Sequence, residues 1–231
     1  MSSESTRPEP MRYAVVCDIN ETVLDLASLD PLFTGWFGDA MARREWFAQT
    51  VHFALTLAAT ETYRSFAEVG AAALTTVAGR RGISVSPDAA VHLRTAMLQL
   101  PPHPDVAPAL RLLRDNGVIT AALSNNPRLV VETQLRQSHL FPLFDHVMSV
   151  EDAGALKPAP AVYRHAVARI GLPPPAIWMV AAHGWDIAGA TRVGLRGAFV
   201  SRPGQFVDPF APPEISDADM MSVVRRILAK V

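Results

Sequence analysis

Hydrophobic and polar positions along the chain follow two regimes. Short apolar runs rich in β-branched residues, at Tyr13 to Cys17, Val118 to Leu123, His146 to Val150, Ile177 to Ala181 and Gly197 to Val200, read as buried strands. Between the later runs, apolar residues return with helical spacing. Val106, Ala109, Leu110 and Leu113 stand at i, i+3, i+4 and i+7 and end before Gly117, so this helix feeds directly into the next strand. Met220, Val223, Val224, Ile227, Leu228 and Val231 repeat the spacing after the acidic start SDAD, which predicts a closing amphipathic helix. Strands and helices alternating in this way imply an α/β fold built on a parallel sheet.

Residues 25 to 103 break the alternation. They show no convincing strand and predict successive helices over Trp36 to Ala59, Glu61 to Ala78 and Pro87 to Leu100. In the last of these Ala89, Leu93, Ala96, Met97 and Leu100 form one stripe, and PPHP at 101 to 104 ends it. The expected organisation is a disordered leader over 1–11, a core domain of 12–24 and 104–231, and a helical cap subdomain over 25–103. An insertion after the first strand of a parallel sheet sits above the carboxyl ends of the strands, where open α/β sheets bind ligands, and can act as a lid. The segments APPEISD and LPPPA read as Pro-rich loops.

At 231 residues and 49% hydrophobic composition, the chain can bury one large core or a core with a smaller inserted unit. A net charge of -1 provides no broad field for nucleic acid or an anionic membrane, so the expected partner is a small soluble molecule. The single cysteine, Cys17, excludes an intrachain disulfide, argues against a Cys-ligated zinc site and suits a reducing compartment. MSSESTRPEPMR has no apolar run of signal-peptide type and nowhere do 18 apolar residues follow one another, so a cytoplasmic location is expected.

Polar groups gather where the predicted strands end. The first run ends at Asp18, the second at Ser124 and Asn125, and the fourth at His183 and Asp186, while Lys157 precedes a helix in the loop after the third. Any one of these alone is more often a helix cap or turn former than a catalyst. Four successive strand ends carrying Asp, Ser-Asn, Lys-Pro and Asp at one sheet edge instead describe a convergent pocket of the kind that carries catalysis.

The order of these groups resembles the haloacid dehalogenase superfamily, whose nucleophilic aspartate ends the first strand in a DxxxT motif. Asp18 and Thr22 fit that motif, Ser124 in AALSNN the second, Lys157 in KPAPAVY the third and Asp186 in MVAAHGWDIAGA the fourth. LSN, KPxxxxY with Tyr163, and the WDxxGA segment from Trp185 to Ala190 look like local signatures of the L-2-haloacid dehalogenases. Covering residues 12 to about 205, the resemblance implies a HAD-like Rossmannoid three-layer fold, with a parallel sheet between helices and an inserted all-helical cap.

It also implies a chemistry. Asp18 would attack C2 of a short L-2-haloalkanoic acid, giving an enzyme ester and free halide, and water would then cleave the ester to a D-2-hydroxy acid. Lys157 would hold Asp18 ionised, and Asp186 would act as base or orient water, its alternative role being a helix N-cap. Thr22 and Ser124 would donate to the Asp18 or substrate carboxylate, although capping alone accounts equally well for Ser124. Asn125 is similar to the family's halide-binding amide, and the helical insertion should supply an arginine, either Arg43 or Arg44, with Arg43 preferred. Asn20, at a position where the dehalogenases usually have tyrosine, joins Tyr163 and Trp185 among the substrate or halide-binding candidates. Trp36, Trp46, Phe47, Phe53, Phe66 and Trp185 either line a dry slot or belong to the core. The resemblance implies no metal, no cofactor and a homodimer.

Two departures from the superfamily's phosphatases are informative. Those enzymes need an acid two residues after the nucleophile to protonate a leaving alkoxide, and Asn20 has no such proton to give. The acid four residues before Asp186, normally a Mg2+ ligand, is Ala182. Both point to attack on carbon, with a leaving group that departs as a stable anion. The rival readings are a phosphatase with another small substrate and a catalytically impaired carboxylate-binding homologue. The second stays open because Ala181 and His183 replace a serine and an asparagine that orient hydrolytic water in the family. His183 is then either a replacement general base, since imidazole titrates near neutral pH, or a histidine bonded to a loop carbonyl.

Overall fold

The computed structural model describes residues 12–231, so the leader expected over 1–11 lies outside the described residues. Six parallel strands form one sheet: β1 (Ala14–Cys17), β2 (Ile119–Ser124), β3 (His146–Ser149), β4 (Ile177–Ala181), β5 (Arg196–Val200) and β6 (Ile215–Asp217), in the order β3-β2-β1-β4-β5-β6. Five of these fall on the predicted apolar runs. The sixth was read as part of a Pro-rich loop: it has three residues and one fully buried apolar side chain, Ile215, too little for a periodic signal. It exists by pairing with β5, in the register Ala198↔Ile215 to Val200↔Asp217.

Helices α5 (Val106–Asp115), α6 (Arg128–Gln137), α7 (Pro160–Ile170), α8 (Gly184–Thr191) and α9 (Met220–Leu228) cover the sheet, preceded in the chain by α1 (Asp30–Phe37), α2 (Met41–Ala59), α3 (Phe66–Arg80) and α4 (Ala89–Leu98). Helix α5 packs on α9, and α7 on α8. Because crossovers to the left and to the right of β1 are both right-handed, these pairs fall on opposite faces and complete the three layers. Buried on both sides, β1 and β4 can be continuously apolar, and every residue of each strand is buried.

The inserted helices differ in detail from the sequence expectation. Gly38, at φ 69°, terminates α1 in the left-handed region, so the predicted first helix is two helices, and α1 begins earlier, at Asp30. The second starts at Phe66 rather than near Glu61, because Ser65 and Glu68 form a reciprocal capping box, an S-x-x-E signal that overrides the apolar spacing upstream. Between residues 25 and 103 the described strand pairing is a single bridge, Leu24 to Pro102. The two chain crossings lie side by side: Asp25 N–H donates to the Pro101 carbonyl (2.8 Å) and His103 N–H to that of Val23 (3.0 Å).

Strand order reverses direction between β1 and β4, and the carboxyl ends of these two strands define the switch point at which such sheets bind ligands. Gly189 of α8 sets how closely α7 approaches there. A Cβ at Gly189 would lie 2.6 Å from Tyr163 Cε2 and 2.7 Å from both Tyr163 Oη and Pro158 Cβ. Gly189→Ala should therefore destabilise the fold by about 1–3 kcal/mol through overpacking. A thermal unfolding midpoint equal to that of the wild type would contradict this packing.

Candidate active site

Strand β1 ends at Cys17, but Asp18 keeps the sheet register: its N–H donates to the Val180 carbonyl of β4 at 3.0 Å. This fixes the Asp18 carboxylate at the switch point, where it is 6% exposed. Its Oδ1 accepts from Lys157 Nζ at 3.0 Å, and Oδ2 accepts from Thr22 Oγ1 at 2.8 Å and His183 Nδ1 at 3.1 Å. An ionised carboxylate only accepts, so this bond puts a proton on Nδ1; with one proton on the ring, Nε2 is the acceptor.

Lys157 is 1% exposed and its Nζ also donates to Asp186 Oδ2 at 2.8 Å. Tyr163 Oη donates to the other oxygen, Asp186 Oδ1, at 2.5 Å. Burial works against charge on Asp18, but Lys157, His183 and Thr22 together outweigh it and hold this carboxyl below the usual aspartate range. Asp186 goes the other way: burial raises it, and the neighbouring Asp18 charge outdoes part of the help from Lys157 and Tyr163. Burial opposes charge on Lys157, yet two carboxylates raise it above the ordinary lysine value. The Tyr163 hydroxyl is pushed well up by burial and then by Asp186. Beneath them the Cys17 thiol is pushed up to about 12 by burial and by Asp18, which makes it an inert core group.

Thr22 joins the two central strand ends, donating to Asp18 and accepting the Ala182 N–H at 2.9 Å. Its own carbonyl accepts from Arg202 Nε (3.2 Å) and Nη2 (2.9 Å). Arg202 reaches on to Asp105, which also accepts the Met220 N–H at 2.6 Å. Neither Arg202 nor Asp105 was singled out from the sequence: one follows β5 and the other precedes α5, and no local motif marks them.

Other sequence candidates take supporting positions. Asn125 Oδ1 accepts the Lys157 N–H at 2.9 Å, tying the second strand end to the third. Ser124 Oγ accepts the Asn126 N–H at 3.1 Å in a local turn ahead of α6, whose N-cap is Pro127, and has no hydrogen bond to Asp18. Asn20 Oδ1 accepts from Asn126 Nδ2 at 3.3 Å and Gln134 Nε2 at 3.5 Å; the latter also donates to the Met97 carbonyl of α4 at 2.7 Å. Tyr163, expected at the substrate, instead backs Asp186 and is fully buried. Asp186 is not the N-cap of α8, a place held by His183; it has no exposure, and its oxygens are engaged by Lys157 and Tyr163.

A cavity of about 440 Å3 opens between the helical insertion and the core, lined by Glu21, Arg43, Arg44, Phe47, His183 and Trp185 among others. His183 is held between two aromatic rings, stacked on Trp185 (centroids 5.2 Å apart, 20° between planes) and tilted against Phe47 (5.5 Å). Arg43 and Arg44 both line the cavity. Arg43 is 3% exposed with Nε 2.5 Å from Asp30 Oδ1 and Nη1 3.7 Å from Glu21 Oε2, so its charge is largely compensated. Arg44 is exposed and forms no ion pair within 4 Å among the described residues; its guanidinium lies where a Cβ on Gly204 would fall 2.9 Å from Nη1. Of the other aromatics, Trp46 and Phe66 line a separate apolar cavity of about 340 Å3 beside α4, half-buried Phe53 lines a pocket between α2 and α3, and Trp36 packs edge-on against Phe33. Among the described residues no group of three or more His, Cys, Asp or Glu side chains forms a metal-ligating set, and no helix is long and apolar enough to cross a membrane.

Known proteins resemble this chain in sequence and in fold. The (S)-2-haloacid dehalogenase H-109 of Pseudomonas putida is 29% identical over 215 residues, 90% of this chain and 95% of that protein. The haloacetate dehalogenase H-2 of Moraxella sp. (strain B) is 29% identical over 72% of this chain and 75% of its own length. A crystal structure of an L-2-haloacid dehalogenase superposes with a TM-score of 0.89 at 26% identity, covering 95% of this chain and all of that one. The L-2-haloacid dehalogenase of Xanthobacter autotrophicus, at 22% identity and a TM-score of 0.88, shares the fold over 96% of this chain and all of its own. The family model for haloacid dehalogenase-like hydrolases matches residues 14–194, most of the chain including both central strands and the whole helical insertion. The chain belongs to the haloacid dehalogenase-like hydrolases.

Proposed function

We propose that this protein is a hydrolytic dehalogenase of short L-2-haloalkanoic acids, with Asp18 as the nucleophile. The observation that carries the reading is the Asp18 carboxylate itself: held ionised at the switch point by Lys157, with Asn20 rather than an acid two residues on. Asn20, where such an acid would stand, spends its side-chain oxygen on Asn126 and Gln134. A halide leaves as a stable anion and needs no proton. The names of the relatives at 29% identity support the same substrate class.

In this mechanism an Asp18 oxygen displaces halide from C2 in line, inverting that carbon and forming an ester. Water then adds to the Asp18 acyl carbon, the bond from that carbon to the substrate oxygen breaks, and Asp18 is regenerated beside Lys157. C2 is attacked once, so an L-haloacid yields a D-hydroxy acid. Asp186 and Tyr163 position Lys157 from behind, Thr22 and His183 fix the plane of the carboxylate, and Arg43 or Arg44 offers a cation to the substrate carboxylate or halide. Trp185 and Phe47 supply apolar wall beside the reacting centre.

L-2-Chloropropionate should release chloride and D-lactate in equal amounts at a rate unchanged by EDTA, and Asp18→Asn should lower that rate by about 10^4-fold or more, the scale on which loss of a nucleophile acts. Mg2+-dependent phosphate release from simple esters without any halide release would overturn the reading.

Removing the ammonium tests the electrostatics. Lys157→Met leaves two buried carboxylates without a counter-charge and should cost about 3–5 kcal/mol. In the wild type the lowered Asp18 stabilises the fold above the unfolded value of about 3.9, and that contribution fades as pH falls through the folded value. In the variant both carboxyls titrate above their unfolded values, so its folded form gains protons and relative stability on acidification. The gap between the unfolding midpoints of wild type and variant should therefore narrow from pH 7 to pH 5; a constant gap would show that Lys157 does not set these charges.

A further inference from the structure

Two residues that line the same cavity each keep a buried polar atom without a hydrogen-bond partner: Glu21 its Oε2 and His183 its Nε2. Burying such atoms unpaired is costly, and each is expected to have a use. His183 is fixed by Asp18 at Nδ1 and by the rings of Phe47 and Trp185, so its acceptor nitrogen has one orientation.

Glu21 is unusual in its backbone as well. It stands at φ 68°, in the left-handed region where a side chain is strained and glycine is not. The conformation is imposed locally: Glu21 N–H donates to the Leu24 carbonyl at 2.8 Å, and the Glu21 carbonyl accepts from the His103 ring at 3.0 Å. Those bonds belong to the main chain, so a glycine would make the same turn without the strain and without a buried carboxylate. The Glu21 side chain is 5% exposed and accepts no hydrogen bond among the described residues. Its neighbour Arg43 stays 3.7 Å away, beyond hydrogen-bond distance. Burial raises the Glu21 carboxyl above the ordinary value, opposed by Arg43, His183 and Arg44 and assisted by Asp25. Strain and burial at a site lining the reaction cavity are the marks of a residue kept in place for function.

We propose that Glu21 is a second catalytic residue, which together with His183 holds the water that hydrolyses the Asp18 ester. The inference rests on the reading of Asp18 as nucleophile. One O–H of the water points to His183 Nε2 and the other to Glu21 Oε2. The water oxygen bonds to the Asp18 acyl carbon as His183 Nε2 takes its proton, and the Glu21 carboxylate stabilises the imidazolium formed. Collapse of the tetrahedral species breaks the bond to the substrate oxygen, which receives the proton from His183 and leaves as the hydroxy acid. The second water proton, left on the regenerated Asp18 carboxyl, passes to solvent as Asp18 ionises again beside Lys157. Water is the only co-reactant.

The test separates the two half-reactions with L-2-chloropropionate, by rapid-quench halide release and intact mass of the full-length protein. Glu21→Gln should release one equivalent of chloride per chain at the wild-type rate and then turn over about 10^2- to 10^3-fold more slowly. An ester adduct on Asp18 should accumulate. Glu21→Gly, which suits the left-handed backbone, should unfold at or above the wild-type midpoint and yet show the same slow second phase, so misfolding does not explain the loss. Wild-type turnover in Glu21→Gly, or a slowed chloride burst without adduct, would overturn the assignment. A wild-type protein that releases no halide would instead overturn the nucleophile reading itself.

Discussion

A single ammonium held between two carboxylates, all three removed from water at the switch point of a parallel sheet, is the interaction on which the rest of the site depends. Lys157 is within 3.0 Å of Asp18 and 2.8 Å of Asp186. Such an arrangement is stable only when the remaining lone pairs and protons are also satisfied. Tyr163 behind Asp186, Thr22 and His183 on Asp18, and Asn125 on the Lys157 backbone meet that requirement. The two carboxyls are thereby set apart. Asp18, with three donors, is the easier to ionise, and Asp186, with no exposure, is the harder. One ammonium cannot neutralise two carboxylates, and the imbalance falls on Asp18, whose charge is available to a reacting carbon.

Precision at that point is imposed from several parts of the chain. Thr22 bonds to Asp18 with its hydroxyl hydrogen, to Ala182 with its oxygen and to Arg202 with its carbonyl. Arg202 carries the connection through Asp105 to the start of α9, so the first loop is tied to three later segments. Gly189 lets α7 approach α8 closely enough for Tyr163 to reach Asp186. Asp18, Thr22, Lys157 and Arg202 stand in the segments that leave the strands, and these cross-links between strand ends hold them in place.

Much of this was legible in the sequence because it depends on strand ends. A continuous apolar run followed by a polar residue marks both a buried parallel strand and the edge where its last side chain emerges, so Asp18, Lys157 and Asp186 could be brought to one place without coordinates. What the sequence did not reveal follows from contacts with no period. Strand β6 is too short to carry a pattern, and Arg202 acts through main-chain oxygen that no residue type reports. Gly38 and the Ser65–Glu68 capping box did carry local signals, and both mark helix ends where the apolar stripe alone runs on. The side-chain roles were harder still. Tyr163 and Ser124 sit at motif positions but face the interior of the network, whereas Glu21, inside the first motif and facing the cavity, has nothing in its residue type to announce a left-handed backbone.

The site also divides by depth. Groups below Asp18, the proposed nucleophile, are wholly buried: Lys157, Asp186 and Tyr163 bonded in sequence, and Thr22 bonded to Asp18. Those above it, His183, Glu21, Arg43 and Arg44, line the cavity, and the first two each keep a buried atom unpaired. On the proposed reading the reagent for displacement of a leaving group comes from the lower set, an ionised and oriented carboxylate, while a cavity-side arginine receives the substrate charge. On the same reading, cleavage of the resulting ester falls to the cavity side, since both oxygens of Asp186 are already engaged by Lys157 and Tyr163. A chain can therefore exchange its water-activating residues without disturbing the ion triad below. The occurrence of histidine after β4 and of a strained glutamate after β1, over a conventional triad of Asp18, Lys157 and Asp186, is what that independence permits.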